Sequence, residues 1–188
     1  MNTALKEWAA VVRALELGRQ IVLLRKGGIA ESQGRFEVTN REFLLYPTYE
    51  HQEERFFVPE WKEVVAESFA GRKPGQVRIG SWARVEEVIR LSDGAFLPHA
   101  GADHVYSEAF VEQRRQYKPD HPLYVLVLRV LILPKPFMLA ERPEYAGCRS
   151  WVSLAEDIDV SGSTPVLSDE EFSVRMKNLV ASLRGSSQ

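Results

Sequence analysis

Polar side chains that could bind a ligand follow two apolar stretches in the first third of the sequence. Residues 20–24 run directly into Arg25-Lys26-Gly27-Gly28, and residues 43–46 run into Pro47-Thr48-Tyr49-Glu50-His51-Gln52. Cations beside glycines can hold a phosphate, because glycine lets backbone N–H groups approach an anion closely. A tyrosine can stack on a base, while histidine and glutamine can hydrogen-bond its edge. The sequence therefore predicts one shared ligand site, formed by Arg25, Lys26, Tyr49, His51, Gln52 and Trp82.

A second group of cations lies later in the chain, in the segment Arg114-Arg115-Gln116-Tyr117-Lys118. At the end of a helix such cations complement the helix dipole. They could equally contact phosphates, which positions nucleic acid without reading its sequence. We hypothesise that Arg25, Lys26, Arg114, Arg115 and Lys118 form one positive surface. The alternative for residues 25–28 is a hairpin turn with exposed cations.

Several residues could support catalysis, but none has partners at the required spacing. Glu50, His51 and Glu53 suggest a metal site or a small hydrolase, yet no second histidine lies nearby at ligand spacing. His99 and His104, with Asp103 between them, lie in a glycine-containing loop, but such a pair is not a firm zinc signature without acidic or cysteine partners at fixed spacing. Glu60-Trp61-Lys62 fits the Glu-x-Lys fragment of a metal-dependent nuclease, although it falls in a predicted helix. We therefore predict no catalytic residue, no metal and no cofactor, and a nuclease or hydrolase remains the alternative.

Composition favours one globular unit without a strong preference for polyanions. The chain has 188 residues, 45% of them hydrophobic, and a formal net charge of −2. Nucleic-acid binding would therefore need a local cationic patch. Cys148 is the only cysteine, which excludes internal disulfides. The N-terminal residues lack a signal-type apolar run, and the longest apolar stretch, 123–133, is too short to span a bilayer, so we expect a cytoplasmic protein.

Periodicity predicts a single α+β domain with a mixed or antiparallel curved sheet, barrel-like over residues 1–155 and followed by a helix at 168–184. The predicted helices are 3–17 (ended by Gly18), 59–70, 107–118 (capped by Ser107) and 168–183 (with a Ser168–Glu171 capping box). The predicted strands are 20–25, 35–39, 42–46, 76–91 (as one strand or two), 123–133 and 149–154. The strand at 123–133 is expected to be central and buried, and to end at Pro134-Lys135-Pro136.

Several motifs resemble the bacterial family labelled domain of unknown function 1802. The resemblance rests on the segments Ala4-Leu5-Lys6-Glu7-Trp8-Ala9, Gly18-Arg19-Gln20, Leu24-Arg25-Lys26-Gly27-Gly28-Ile29, Phe43-Leu44-Leu45-Tyr46-Pro47-Thr48-Tyr49-Glu50-His51-Gln52, Tyr124-Val125-Leu126-Val127-Leu128-Arg129-Val130 and Gly147-Cys148-Arg149-Ser150-Trp151-Val152. The family has no established activity, so it implies no catalytic residue. Some members are joined to restriction-endonuclease-like domains, which implies nucleic acid and a restriction-type nuclease partner.

The helix, glycine, strand and arginine order at residues 18–25 also resembles the ASCH branch of the PUA-like superfamily. Gly18 and Arg25 match that pattern, but Gln20 and Leu23 stand where the branch has lysine and glutamate. The resemblance implies a small, partly open β-barrel with flanking helices that binds RNA or modified bases. Because the two charged groups are missing, a catalytic function loses support while a binding function keeps it.

We therefore predict a non-catalytic nucleic-acid-binding module, which reads a modified or unpaired base. Besides the enzyme, a structural subunit that binds protein remains open, with Phe56, Phe57 and Trp61 as exposed anchors.

Overall fold

The computed structural model describes residues 1–26, 31–32, 35–36, 40–91, 104–117, 119–147 and 149–185. The strands in these ranges are β1 Thr3–Trp8, β2 Val22–Arg25, β3 Glu31–Ser32, β4 Arg35–Phe36, β5 Glu42–Thr48, β6 Gln76–Arg90, β7 Tyr124–Ala140, β8 Trp151–Ser153 and β9 Thr164–Pro165. The α-helices there are α1 Ala9–Glu16, α2 Lys62–Ala70, α3 Glu108–Gln116 and α4 Asp169–Gly185. Short 3₁₀ helices occupy Glu54–Phe56, Pro59–Trp61 and Pro143–Tyr145.

Seven strands form one mixed sheet in the order β2-β7-β6-β5-β1-β8, with β9 paired to β7. β1 is parallel to β5, and the other pairs are antiparallel. The sheet is strongly curved, because Arg25 of β2 contacts Glu7 of β1 although three strands lie between them. The predicted α+β class with a mixed, curved sheet is confirmed.

Apolar side chains form two clusters, and β1 and β5 contribute to both. Leu5 and Leu45 belong to the larger cluster, which includes the apolar side of α1. Ala4 and Leu44 belong to the smaller one. Successive side chains of a strand point to opposite faces, so Lys6 and Glu7 leave β1 in opposite directions. This alternation decides which polar residues can meet in a common site.

The first helix was predicted to begin at residue 3, and this prediction is wrong. Residues 3–8 form β1, which pairs with β5 on one side and with β8 on the other. Only Ala9–Glu16 is helical, and it ends at Gly18 with a φ of 65°, as predicted. Backbone hydrogen bonds to two neighbouring strands outweigh the helical spacing of the apolar residues in this segment, because tertiary contacts can override local propensity.

The prediction that Pro134 and Pro136 end the central strand is also wrong, since β7 continues to Ala140. The pairing explains how the prolines are tolerated. Ile79 pairs with Phe137 and Ser81 with Ile132, so the segment 133–136 lies opposite the single residue Gly80. Because of this irregularity, positions 134 and 136 need no backbone N–H to bond to β6, as at a β-bulge.

Other local predictions are confirmed. Residues 76–90 form one strand, β6, and α2 lies within the predicted helix. The Ser107 side chain accepts the N–H of Phe110 at the start of α3. Ser168 and Glu171 form the predicted reciprocal capping box, with distances of 3.2 and 2.9 Å. Residues 37–39 of a predicted strand lie outside the described residues.

The proposed exposed anchors Phe56, Phe57 and Trp61 are buried, with 2%, 3% and 8% of their surface exposed. Trp8 packs against the two phenylalanines, and its ring centroid lies 5.6 Å from that of Phe56 and 5.7 Å from that of Phe57. The expectation of exposure is therefore wrong, because these side chains complete the larger cluster under the 3₁₀ turns. Within the described residues, no helix is long and apolar enough to cross a bilayer.

Candidate functional site

A pocket of about 400 Å³ opens at the carboxyl end of β5. Its wall combines residues of β1, of β5 and the following turn, of the segment after α2, and of the segment after β7. The lining residues are Lys6, Tyr46, Pro47, Thr48, Tyr49, Glu50, Arg72, Glu141, Arg142, Pro143, Tyr145 and Ala146. Its volume lies in the usual range for small-molecule and cofactor sites, roughly 300–1,000 Å³.

Tyrosine rings form the aromatic part of the wall. The Tyr46 and Tyr145 rings pack in an edge-to-face arrangement with centroids 6.4 Å apart. The Tyr145 hydroxyl accepts the N–H of Ala155 at 2.9 Å, which fixes this ring from behind. Tyr49 packs against Phe69 with centroids 5.9 Å apart. The rings are thus held by protein contacts and can act as a rigid stacking platform.

Cations lie over two of these rings. The Lys6 Nζ atom is 5.7 Å from the centroid of Tyr46, and the Arg72 Cζ atom is 5.3 Å from that of Tyr49. Lys6 also donates to the carbonyl of Gly147 at 3.1 Å. Both cations are therefore oriented towards the pocket wall and not towards a carboxylate.

The charges around the pocket are mixed. Lys6, Arg72 and Arg142 contribute +3 and Glu50 and Glu141 contribute −2, which gives a formal net charge of +1. Arg142 is ion-paired outside the pocket, 2.6 Å from Glu156. In the part of the chain that the structure describes, no ion pair joins a pocket cation to a pocket carboxylate. A ligand that carries both an anion and N–H donors would match this arrangement.

The tyrosine hydroxyls stay protonated over a wide pH range. Burial, followed by the charge of Glu141, raises the pKa of Tyr46 to about 12. The pKa of Tyr49 is also raised, mainly by burial, while Arg72 opposes the shift and Glu141 adds to it. Both hydroxyls can therefore donate hydrogen bonds to a ligand at neutral pH.

The structure separates the residues that were predicted to share one site. Tyr49 lines the pocket. His51 follows it in the same turn, exposed and with a φ of 57°. Gln52 is buried, and it accepts the N–H of Ala10 at 2.9 Å and donates to the hydroxyl of Ser68 at 3.0 Å. Gln52 therefore tethers the start of α1 and is not among the pocket residues.

Trp82 also forms contacts within the protein that are separate from the pocket. Its indole N–H donates to the hydroxyl of Ser163 at 3.0 Å, and its ring packs against the smaller apolar cluster. It is not among the lining residues of the pocket. The predicted grouping of Trp82 with Tyr49 is therefore not formed in the structure.

Arg25 and Lys26 make internal contacts at the carboxyl end of β2. The Arg25 Nη2 atom lies 3.0 Å from the Glu7 carboxylate and donates to the carbonyl of Lys6 at 2.9 Å. Lys26 Nζ donates to the carbonyl of Arg115. Because Glu7 and Lys6 leave β1 on opposite faces, Arg25 contacts the side of β1 that faces away from the pocket.

The structure does bring several of the predicted cations together. The Lys26 contact places Arg115 of α3 beside β2. Arg25 and Arg114 both act on the hydroxyl of Tyr106, whose pKa is raised above all by burial. Arg25 and Lys26 are largely buried, so they form the inner part of this group, while Lys118 lies outside the described residues.

Most of the pocket residues were not predicted from the sequence. Lys6 was assigned to a helix, and Arg72 follows a helix without any local motif. Glu141, Arg142 and Tyr145 form a charged and aromatic segment directly after an apolar strand, which is the same signal that identified Tyr49. It was overlooked because β7 was expected to end at Pro134. Recognising the proline segment as an irregularity within one strand would have revealed it.

Among the described residues, no group of three or more His, Cys, Asp or Glu side chains could hold a metal ion. His99, Asp103 and Cys148 lie outside the described residues. Glu60 and Trp61 belong to a 3₁₀ helix, and Lys62 opens α2 and pairs with Glu54 at 2.8 Å. The Glu-x-Lys fragment therefore lies on helical structure, as expected.

Comparisons with known proteins give one family and one group of similar structures. The family model described as Domain of unknown function (DUF1802) matches residues 4–178. The search of curated proteins found no match. The crystal structure of the ASCH protein from Zymomonas mobilis is similar at 13% identity and a TM-score of 0.46, over 94% of each chain. Two point mutants of that protein match with TM-scores of 0.46 and 0.44, each at 13% identity and over 95% of this chain, and over 94% and 96% of theirs.

Proposed function

The chain belongs to the family described as Domain of unknown function (DUF1802), and we propose that it is a non-catalytic module that binds an unstacked nucleotide of single-stranded nucleic acid. The observation that carries this proposal is the pocket at the end of β5. It places tyrosine rings, cations and carboxylates around one cavity of about 400 Å³.

The aromatic wall supports binding of a base. Single-stranded nucleic acid is commonly bound by stacking bases on aromatic side chains, and each stacked base contributes about 1–3 kcal/mol. Tyr49 is the best candidate, since it is partly exposed and its ring is held by Phe69 on its protein side. An arginine plane can also stack on a base, and the Arg72 guanidinium already lies within cation–π distance of the Tyr49 ring.

The charges support binding of the phosphate and of the base edge. Lys6 and Arg72 have no carboxylate partner within the described residues, so they are available to a phosphate. Arg114 and Arg115 of α3 offer further cations beside β2. Arg25 connects the two regions, because its guanidinium contacts the backbone of the same Lys6 whose side chain lines the pocket.

Fluorescence anisotropy with labelled oligonucleotides tests this function. We expect single-stranded RNA or DNA to bind more tightly than a duplex of the same sequence, at two salt concentrations. Tyr49→Ala should weaken binding by roughly 5- to 150-fold, which corresponds to the loss of one stacked base. Tyr49→Phe keeps the ring and is the matched control, with affinity close to that of the unchanged protein.

Two results would overturn the proposal. One is the absence of binding below about 100 μM in low salt, where even non-specific binding appears. The other is binding that Tyr49→Ala leaves unchanged, since the pocket would then not be the site.

A further inference from the structure

We infer that the pocket prefers guanine among the four bases, and that Glu141 is the residue that determines this specificity. The inference rests on the proposed function and adds the identity of the base. It follows from the position of one carboxylate and from the hydrogen-bonding pattern of the bases.

Glu141 is the first residue after β7, and two contacts with one glycine hold it in place. Its Oε2 atom accepts the N–H of Gly75 at 3.2 Å, and its own N–H donates to the carbonyl of Gly75 at 2.9 Å. Glu141 lines the same pocket as Tyr46 and Tyr49, and its charge contributes to the raised pKa of both hydroxyls. A carboxylate fixed in this way is preorganised for a ligand stacked on the aromatic wall.

Among the described residues, no neighbouring cation forms an ion pair with Glu141. Arg142, the next residue, is paired with Glu156 instead. Within the described ranges, Glu141 forms no ion pair at all, although Lys6, Arg72 and Arg142 line the same pocket. Its remaining lone pairs are therefore available to donors of a ligand.

An ionised carboxylate only accepts hydrogen bonds, and two parallel donors satisfy it best. Guanine presents two adjacent donors on its Watson–Crick edge, N1–H and the N2 amino group. Adenine and cytosine place an acceptor beside their amino group, and uracil has one N–H between two carbonyls. A carboxylate facing these edges meets at least one acceptor, which is repulsive. Lys6 and Arg72 supply the donors that guanine O6 and the phosphate require.

Uridine-rich RNA oligonucleotides with one variable central base test the inference without forming guanine quadruplexes. We expect the oligonucleotide with central guanine to bind about tenfold more tightly than those with adenine, cytosine or uracil. Inosine lacks the N2 amino group, so its affinity should lie between these values.

Glu141→Gln has nearly the same shape but replaces one acceptor by a donor, and it should abolish the preference for guanine. Glu144→Gln is the matched control, since Glu144 is exposed and is not among the lining residues. The control should keep the full preference. Thermal unfolding of both variants shows whether either substitution disturbs the fold.

The outcomes separate the inference from the proposed function. Equal affinity for all central bases, or a guanine preference that Glu141→Gln leaves intact, overturns the inference. If binding still depends on the Tyr49 ring in that case, the proposed function stands. If none of the oligonucleotides binds, both are overturned.

Discussion

Arg25 of β2 and Glu7 of β1 form an ion pair with an Nη2–Oε2 distance of 3.0 Å, although β7, β6 and β5 lie between their strands in the sheet. Both side chains are largely buried, with 13% and 8% of their surface exposed. The pair therefore joins two distant strands of the curved sheet. Arg25, which was predicted from the sequence to bind a ligand, therefore forms an internal ion pair.

The first prediction concerns this ion pair. Arg25→Met should lower the free energy of unfolding by about 3–5 kcal/mol, because it leaves the Glu7 carboxylate buried without its partner. The double variant Glu7→Gln with Arg25→Met should be more stable than Arg25→Met alone, since no uncompensated charge remains. Urea unfolding gives the free energy of unfolding of the unchanged protein, of Arg25→Met and of the double variant. Arg84→Met is the control, because the pair Arg84–Glu86 is exposed and should contribute at most about 1 kcal/mol. An equal loss of stability in Arg25→Met and Arg84→Met would contradict the prediction.

The second prediction concerns the buried part of β7. Leu126 and Leu128 are each 1% exposed, so truncation of either to alanine should cost about 2–5 kcal/mol. Met138 belongs to the same strand but is 45% exposed, and Met138→Ala should change stability by no more than about 0.5 kcal/mol. Chemical denaturation gives both values. A loss at Met138 as large as that at Leu126 would show that β7 is not buried as described.

The third prediction concerns the ionisation of Tyr46. Its pKa in the folded protein is about 12, against an ordinary value of 10.0. The folded state therefore favours the protonated hydroxyl. This stabilisation is fully present below pH 10 and is lost as the pH rises towards 12. Near-ultraviolet titration of tyrosinate should show a step near pH 12 that Tyr46→Phe removes, and the difference between the two titrations separates this step from those of the other tyrosines. A difference spectrum that develops around pH 10 would contradict the prediction.

The fourth prediction concerns Arg72 and the phosphate. If Arg72 contacts a phosphate of bound single-stranded RNA, Arg72→Ala should reduce the slope of log affinity against log salt by about one unit. Tyr49→Ala should weaken binding with little change in that slope, because stacking releases no counterions. Lys177→Ala, an exposed cation on α4, serves as the control and should leave the slope unchanged. An unchanged slope in Arg72→Ala would remove this residue from the interface.

Local signals in the sequence correctly predicted several features that depend on near neighbours along the chain. Gly18 ends α1, Ser107 caps α3, and Ser168 with Glu171 begins α4, since each involves residues within one helical turn. The apolar run from Tyr124 likewise predicted a buried strand, because its composition suits burial on both faces. Tyr49 was predicted as a site residue from its place after an apolar strand, and it lines the candidate pocket.

Tertiary structure decided the features that depend on residues far apart in the chain. Thr3–Trp8 is a strand because β5 and β8 pair with it, and β7 passes through two prolines because its partner β6 tolerates a four-residue irregularity. The same long-range pairing sets Lys6 beside Tyr46 and turns Glu7 towards Arg25. Side-chain alternation places Arg25 on the side of β1 that faces away from the pocket. Gln52 and Trp82, which the sequence had grouped with it, form hydrogen bonds with Ala10, Ser68 and Ser163 instead. Which polar residues share a cavity follows from strand register, and register is a property of the folded sheet.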